Sequence, residues 1–189
     1  MSTLEDRLGS YFGVNKDSDI DIIRSLFHKV EVNKGDILLN RGQYCKDLFY
    51  VESGYLRFYV ETEHKSVTQW ITSPGNFATD LCSLLFDCSS RWNIEALTNG
   101  ELYCMSKSDY KSLGERIPQW YELEKLFIAK CFTVLEDRIF SHLSMSAEER
   151  YHHFFESNKE LFSQVPLQYL ASMLGMTAET FSRIRSKRI

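Results

Sequence analysis

Near the C-terminus, Glu179 and Arg183 stand four residues apart, which places a carboxylate and a guanidinium on one face of a helix. A guanidinium held there can fork onto guanine O6 and N7, and a carboxylate can accept from a cytosine amino group. These two are the candidate DNA base-reading residues. Around them, Gln168, Thr177, Thr180, Arg185 and Lys187 offer the amide, hydroxyl and cationic groups that hold phosphates. From Arg183 to Ile189 the chain carries Arg183, Arg185, Lys187 and Arg188 and no acid. Its formal net charge is nonetheless −4. A basic end on an acidic body suits local phosphate attraction and discourages indiscriminate binding.

Such residues need a short, rigid platform, and Val165 to Ile189 predicts one made of two helices and a tight turn. Pro166 suits a first helical turn, and Leu167, Leu170, Ala171 and Leu174 follow at helical spacing. Gly175 can end that helix in the left-handed region, and Thr177 can cap the next. Phe181 and Ile184 then face the first helix. Ala178, Glu179, Ser182, Arg183, Ser186 and Lys187 are left outward, a small and mostly basic surface that fits a major groove. A plain helical hairpin closing a globular domain is the competing reading.

The remainder of the 189 residues is long enough for a sizeable core. Met1 to about Phe27 reads as helical, with Asp17, Ser18 and Asp19 as capping candidates, and as a lid over the next domain. From His28 to about Met105 the texture is short β-rich segments: HKVEV, DILLN, LFYVE, YLRFYVE, VTQWIT, NFATDL, WNIEAL and ELYCMS. The breaks between them fall at Gly35, Gly42, Gly54, Pro74-Gly75 and Asn99-Gly100. Eight strands so spaced predict a barrel or jelly roll, with a sandwich as the alternative.

From Pro118 the run WYELEKLFIAKCFTVLEDRIFSHL has no Gly or Pro. Leu123, Leu126, Phe127, Phe132, Val134, Leu135 and Ile139 give it more apolar surface than one seam requires. It is expected to pack on its own roll and on a second copy. Ser146 with Glu149 predicts a capping box opening a helix over about Ala147 to Ser157.

An eight-stranded roll, a long helix and a terminal helix-turn-helix resemble the Crp-Fnr family of bacterial transcription regulators. LFYVESGYLRFY, with a hairpin at Gly54, the PGNF opening at Pro74 to Phe77, and LASMLGMTAETFSRIR carry the resemblance, which covers nearly the whole chain. In the last of these, Glu179, Thr180 and Arg183 match the family's x-E-T-x-x-R reading helix. Ala178 stands where many relatives place a further base-reading arginine, which predicts a different preferred site. The resemblance implies an α+β protein in three parts. Residues 1–117 form a cyclic-nucleotide-binding-like jelly-roll (β-roll) sensor, 118–145 a dimerisation helix, and 146–189 a helix-turn-helix domain lacking the family's β-wing.

It further implies a homodimer on a near-palindromic operator in double-stranded DNA, with RNA polymerase and a small-molecule effector as further partners, while the cysteine pattern and the lack of a long apolar stretch predict a cytoplasmic protein with no membrane contact. The family's nucleotide cassette holds a ribose with a Glu and a cyclic phosphate with an Arg. Here the matching stretches read Thr79-Asp80-Leu81 and Ser90-Arg91-Trp92, so Ser90 takes the arginine's place and Arg91 falls one residue late. A one-residue shift on a strand turns a side chain to the other face. The cassette is degenerate, a cyclic nucleotide is disfavoured, and no cofactor is expected. These six residues remain the candidate effector pocket, with Asp80 and Arg91 expected to pair.

The five cysteines form no C-x-x-C and are odd in number, which argues against a disulfide framework or a zinc site. Cys82 and Cys88 share one loop-like region, where a redox-sensing role is a minor reading. No Cys precedes Cys45, so the family's N-terminal iron–sulfur ligation has no ligands, and His28, His64, Cys82 and Cys104 are isolated candidates for haem. A cupin-like enzyme would need clustered His and carboxylate ligands, whereas only His28 and His64 fall within the roll and His152 and His153 adjoin one another. No catalytic or metal-ligating residues are assigned. A sensor or protein-interaction module of the same fold that no longer reads DNA is the alternative function.

Overall fold

The computed structural model describes residues 3–187. Arg188 of the basic terminus and the start of the expected N-terminal helix at Met1 lie outside the described residues. Within them the chain opens with α1 (Leu4–Phe12) and α2 (Asp17–Ser25). It continues with β1 (His28–Val32), β2 (Ile37–Leu39), β3 (Asp47–Ser53), β4 (Leu56–Glu61), β5 (Ser66–Thr72) and β6 (Phe77–Ala78). Next come α3 (Leu81–Phe86), β7 (Asn93–Ala96), β8 (Gly100–Ser106) and α4 (Lys107–Arg116). The C-terminal third is α5 (Trp120–Ser144), α6 (Ala147–Ser157), α7 (Leu161–Gln164), α8 (Leu167–Met173) and α9 (Ala178–Ser186).

The strands form two antiparallel four-stranded sheets, ordered β1-β8-β3-β6 and β2-β7-β4-β5. Val51, Phe49 and Leu102 of one sheet meet Leu56, Phe58 and Ile94 of the other to make the roll's interior. The alternate residues of β3, Leu48 and Tyr50, face a second core with α1, α4 and the start of α5. Burial on both faces explains why LFYV is an unbroken apolar run rather than an alternating one.

Each of the eight expected segments contains a strand, with three local differences. The turn at Gly54 (φ 86°) is no hairpin, because β3 and β4 belong to different sheets and the turn is a corner between them. NFATDL is strand only at Phe77 and Ala78, since Asp80 accepts from Ser83 N (3.1 Å) and caps α3 instead. Cys82 consequently lies in the first turn of a helix rather than in a loop.

The N-terminal helical segment is two helices. Gly13, in the left-handed region (φ 73°), ends α1, which Thr3 and Asp6 open with a capping box. Asp17 and Asp19 sit inside the first turn of α2, where they complement the helix dipole, while Lys16 holds the cap position without a side-chain bond. Both helices join the core that covers the outer face of the β1-β8-β3-β6 sheet, where Phe12 stacks on Phe127 with ring centroids 4.4 Å apart.

The start of α5 is anchored by Trp120, Leu123 and Phe127, all buried. Beyond Phe127 its apolar residues turn outward. Ile128, Phe132, Val134, Leu135, Ile139, Phe140 and Leu143 are exposed there, as is Leu126 just before. Ile128, Phe132, Leu135 and Ile139 recur at steps of four, three and four, the spacing of a coiled-coil seam.

Candidate nucleic-acid interface and effector region

The two-helix unit forms as its residue types require. After α8, Met176 N donates to Ala171 O (3.0 Å) and Gly175 N to Ser172 O (3.0 Å), with Gly175 at φ 69°. This is a Schellman closure, in which the left-handed glycine lets the orphan carbonyls of the last turn be satisfied. Pro166 stands one place earlier than expected, as the residue preceding the first helical one. Thr177 caps α9 by accepting from Thr180 N (3.2 Å). Thr177→Ala is expected to cost about 1 kcal/mol of stability, read from a shifted urea midpoint, because the first turn then loses its cap.

Phe181 and Ile184 are buried against Leu170, Ala171, Leu174 and Tyr151, which fixes the rotation of α9. Ala178, Glu179, Ser182, Arg183, Ser186 and Lys187 are all exposed along its other side, as is Arg185. The Glu179 carboxyl is held below the usual carboxylate range, chiefly by a hydrogen bond from its own backbone N–H, so at neutral pH it is an acceptor only.

The remaining candidates divide. Gln168 is exposed on α8. Thr177 and Thr180 are engaged with each other at 3.2 Å between their hydroxyl oxygens. Lys187 Nζ lies 3.1 Å from Glu148 Oε2 on α6, a surface pair weak enough to be exchanged for a phosphate.

In the roll, Thr79 Oγ1 donates to Asp47 O (2.9 Å). Asp80 and Ser90 are both buried, and the Ser90 hydroxyl donates to Asp80 Oδ2 (2.7 Å). The expected pairing of Asp80 with Arg91 is corrected: Arg91 reaches that carboxylate through its backbone N–H (3.4 Å), while its side chain is exposed and its guanidinium lies 5.9 Å from the Trp92 ring. Ser90 and Arg91 lie in the segment before β7, whose path leaves the serine facing in and the arginine facing out. Leu81 opens α3 against the outer core, and Trp92 packs half-buried on the roll interior. A cyclic phosphate needs a cation facing inward beside a free carboxylate. These residues supply neither, so they do not fit a cyclic nucleotide held in the family's manner.

Sequence reasoning missed the residues that join the roll to the C-terminal helices. Arg57 on β4 is buried, with Nε donating to Thr68 Oγ1 (2.9 Å), Nη2 to Ser66 Oγ (2.7 Å) and Nη1 3.7 Å from Glu95 Oε2. Its guanidinium lies 4.2 Å from the Tyr59 ring centroid and 3.7 Å from that of Tyr169 on α8. Burial pushes its pKa down, opposed by the two tyrosines and by Glu95, yet an arginine stays charged through such a shift. Arg138 of α5 donates to Gln69 O of β5 and to Met173 O of α8, and within the C-terminal helices Arg150 Nε of α6 donates to Leu174 O (3.0 Å). A lone basic residue in an amphipathic strand or helix reads as surface charge, and only the fold turns these inward. A groove of about 550 Å³ also opens between the roll and the α7–α8 junction, lined in part by Lys34, Asn99 and Gln164.

Among the described residues no group of three or more His, Cys, Asp or Glu could hold a metal ion, and no helix is long and apolar enough to cross a membrane.

Residues 29–116 match the family model described as "Cyclic nucleotide-binding domain". A comparison with curated proteins finds no match. Among solved structures, the chain is similar to FixK2 from Bradyrhizobium japonicum, at 18% identity and a TM-score of 0.73 over 85% of this chain and 83% of that one. It is similar to the c-di-GMP responsive global regulator CLP of Xanthomonas campestris, at 15% identity and a TM-score of 0.69 over 91% of each chain. A Eubacterium rectale protein described as a transcriptional regulator of the Crp/Fnr family matches at 17% identity and a TM-score of 0.69, over 92% and 83%. The fold is therefore the one these regulators share, an α+β chain with a cyclic-nucleotide-binding-type roll and C-terminal helices. Two of these three neighbours are described as regulators.

Proposed function

We propose that the chain is a dimeric, sequence-specific DNA-binding transcription regulator of Crp-Fnr type. The observation that carries this is α9. It presents Glu179 and Arg183 on an exposed face of small residues, runs into a basic terminus, and is held rigidly on α8 by a glycine closure and a threonine cap. In this reading Glu179 and Arg183 touch base edges. Gln168, Arg185 and Lys187 hold phosphates, and the helix start at Thr177 and Thr180 faces the backbone of the duplex. Two copies joined along α5 would set their α9 helices into successive major grooves, about one helical turn (~34 Å) apart.

The roll then acts as the sensing part. Because Asp80 and Ser90 satisfy each other and Arg91 faces away, the effector is not a cyclic nucleotide bound through the Thr79–Leu81 and Ser90–Trp92 stretches.

Selection of duplexes from a random library by the full-length protein tests the reading. A two-fold-symmetric site should emerge whose affinity falls with salt. Arg183→Ala should weaken that site by about 1 to 3 kcal/mol and relax the preference at one base pair in each half. Enrichment of no site, with or without cell extract as a source of effector, would leave a protein-interaction module of the same fold as the better account.

A further inference from the structure

Cys82 and Cys88 lie at the two ends of α3, with their Sγ atoms 2.8 Å apart. Both are half-buried, so a small oxidant can reach them, in contrast to Cys45 and Cys104, which are buried. The approach is built by the backbone. Asp87, which ends α3, adopts the left-handed conformation at φ 53°, the only non-glycine residue among the described ones to do so. That turn folds Cys88 back over the first turn of the helix. Asp87 is held there by Lys107 (2.7 Å) and Lys111 (3.0 Å) of α4. A non-glycine residue in this region is strained and persists only where its surroundings hold it.

We infer that Cys82 and Cys88 form a redox-active dithiol, a site for two-electron oxidation by hydroperoxides that closes to an intramolecular disulfide. The gap from the present contact to an S–S bond of ~2.05 Å is less than about 1 Å. The thiolate of Cys82 attacks one peroxide oxygen and the O–O bond breaks. The alkoxide or hydroxide that leaves takes up a proton, and Cys82 becomes a sulfenic acid. The Cys88 sulfur then attacks the Cys82 sulfur. The S–S bond forms, the S–O bond breaks, and the departing hydroxide leaves as water with the Cys88 proton. Two thiols are oxidised and one peroxide is reduced to an alcohol, or to water, plus one water. A small thiol reverses the step by exchange. The hydrogen bond with Cys82, and burial, hold the Cys88 thiol above its ordinary pKa, which suits Cys88 to the second, resolving step. The disulfide would lock α3 to the segment that carries Ser90 and Trp92, beside the candidate effector residues.

The test is mass spectrometry of the full-length protein after hydrogen peroxide, independent of DNA binding. The expected result is a loss of two hydrogens and a non-reduced peptide linking Cys82 to Cys88, with alkylation of both restored by dithiothreitol. Cys88→Ser should instead stop at a sulfenic acid on Cys82 that dimedone traps, and Cys82→Ser should give no linked peptide and at least a tenfold slower oxidation of Cys88. The inference is overturned if the wild-type pair stays alkylatable under peroxide. It is equally overturned if the linkage forms to Cys131 or between chains instead.

Discussion

If the proposed dimer forms along α5, replacing Phe132 and Ile139 together with glutamate is expected to convert it to a monomer without unfolding the roll. Both side chains are 60% exposed in the single chain, on a helix whose first two turns are already anchored by Trp120, Leu123 and Phe127. They belong to the Ile128, Phe132, Leu135, Ile139 stripe, whose spacing meets a partner helix without further bending. Burying an apolar side chain of this size is worth about 1.5 to 3 kcal/mol, and a two-fold axis applies each change twice. Glutamates would also face their own copies across the seam. Much of the gross energy is spent on association entropy. The expected net change is still about 4 kcal/mol or more, a thousandfold rise in the dimer dissociation constant. Sedimentation equilibrium reads it. An unchanged dimer would show that the seam lies elsewhere, and a monomeric wild type would remove the basis for two reading helices on one site.

Arg57→Met is expected to lower stability by about 3 kcal/mol, near the lower end of what breaking a buried ion pair costs, because Glu95 keeps some access to water. The variant loses two aromatic faces and two hydrogen bonds while leaving the hydroxyls of Ser66 and Thr68 without that partner. For a chain of this size the melting temperature should fall by about 6 to 12 °C. Arg57→Lys should recover little, since an ammonium has no flat face to lie between two rings and no fork to reach both hydroxyls. Thermal unfolding followed by circular dichroism decides. A loss below about 1 kcal/mol would mean that Arg57 is replaceable packing and that α8 is held on the roll mainly by its apolar contacts.

The parts of this fold legible in the sequence are those written locally. Turn residues and β-rich runs located eight strand segments, and Ser146 with Glu149 marked the capping box that opens α6. Gly175 and Thr177 marked the turn between α8 and α9. What was not legible depends on distant partners. A glycine between two strands has the same local signature whether it closes a hairpin or turns a corner between sheets, so the role of Gly54 awaited the pairing of β3 with β8 and of β4 with β7. The stretch NFATDL reads as a strand until Asp80 is seen to cap a helix. In the candidate site the outward face of α9 followed from helical spacing alone. The partners of Asp80 did not, because Arg91 and Ser90 are neighbours in sequence and only the path of the segment before β7 decides which one faces in.

The seat of α8 has a consequence for the protein's solubility. β5 is the outermost strand of its sheet, and along it Thr68 N–H donates to Ser172 Oγ (2.9 Å) while Gln69 O accepts from Arg138. Such a row of backbone groups, if bare, is a template for another chain's strand and hence for aggregation. The C-terminal helices therefore act as a stopper on the sheet. Any movement that lifts α8 away unmasks an adhesive border, so the protein can reorient these helices only briefly or with something ready to take their place.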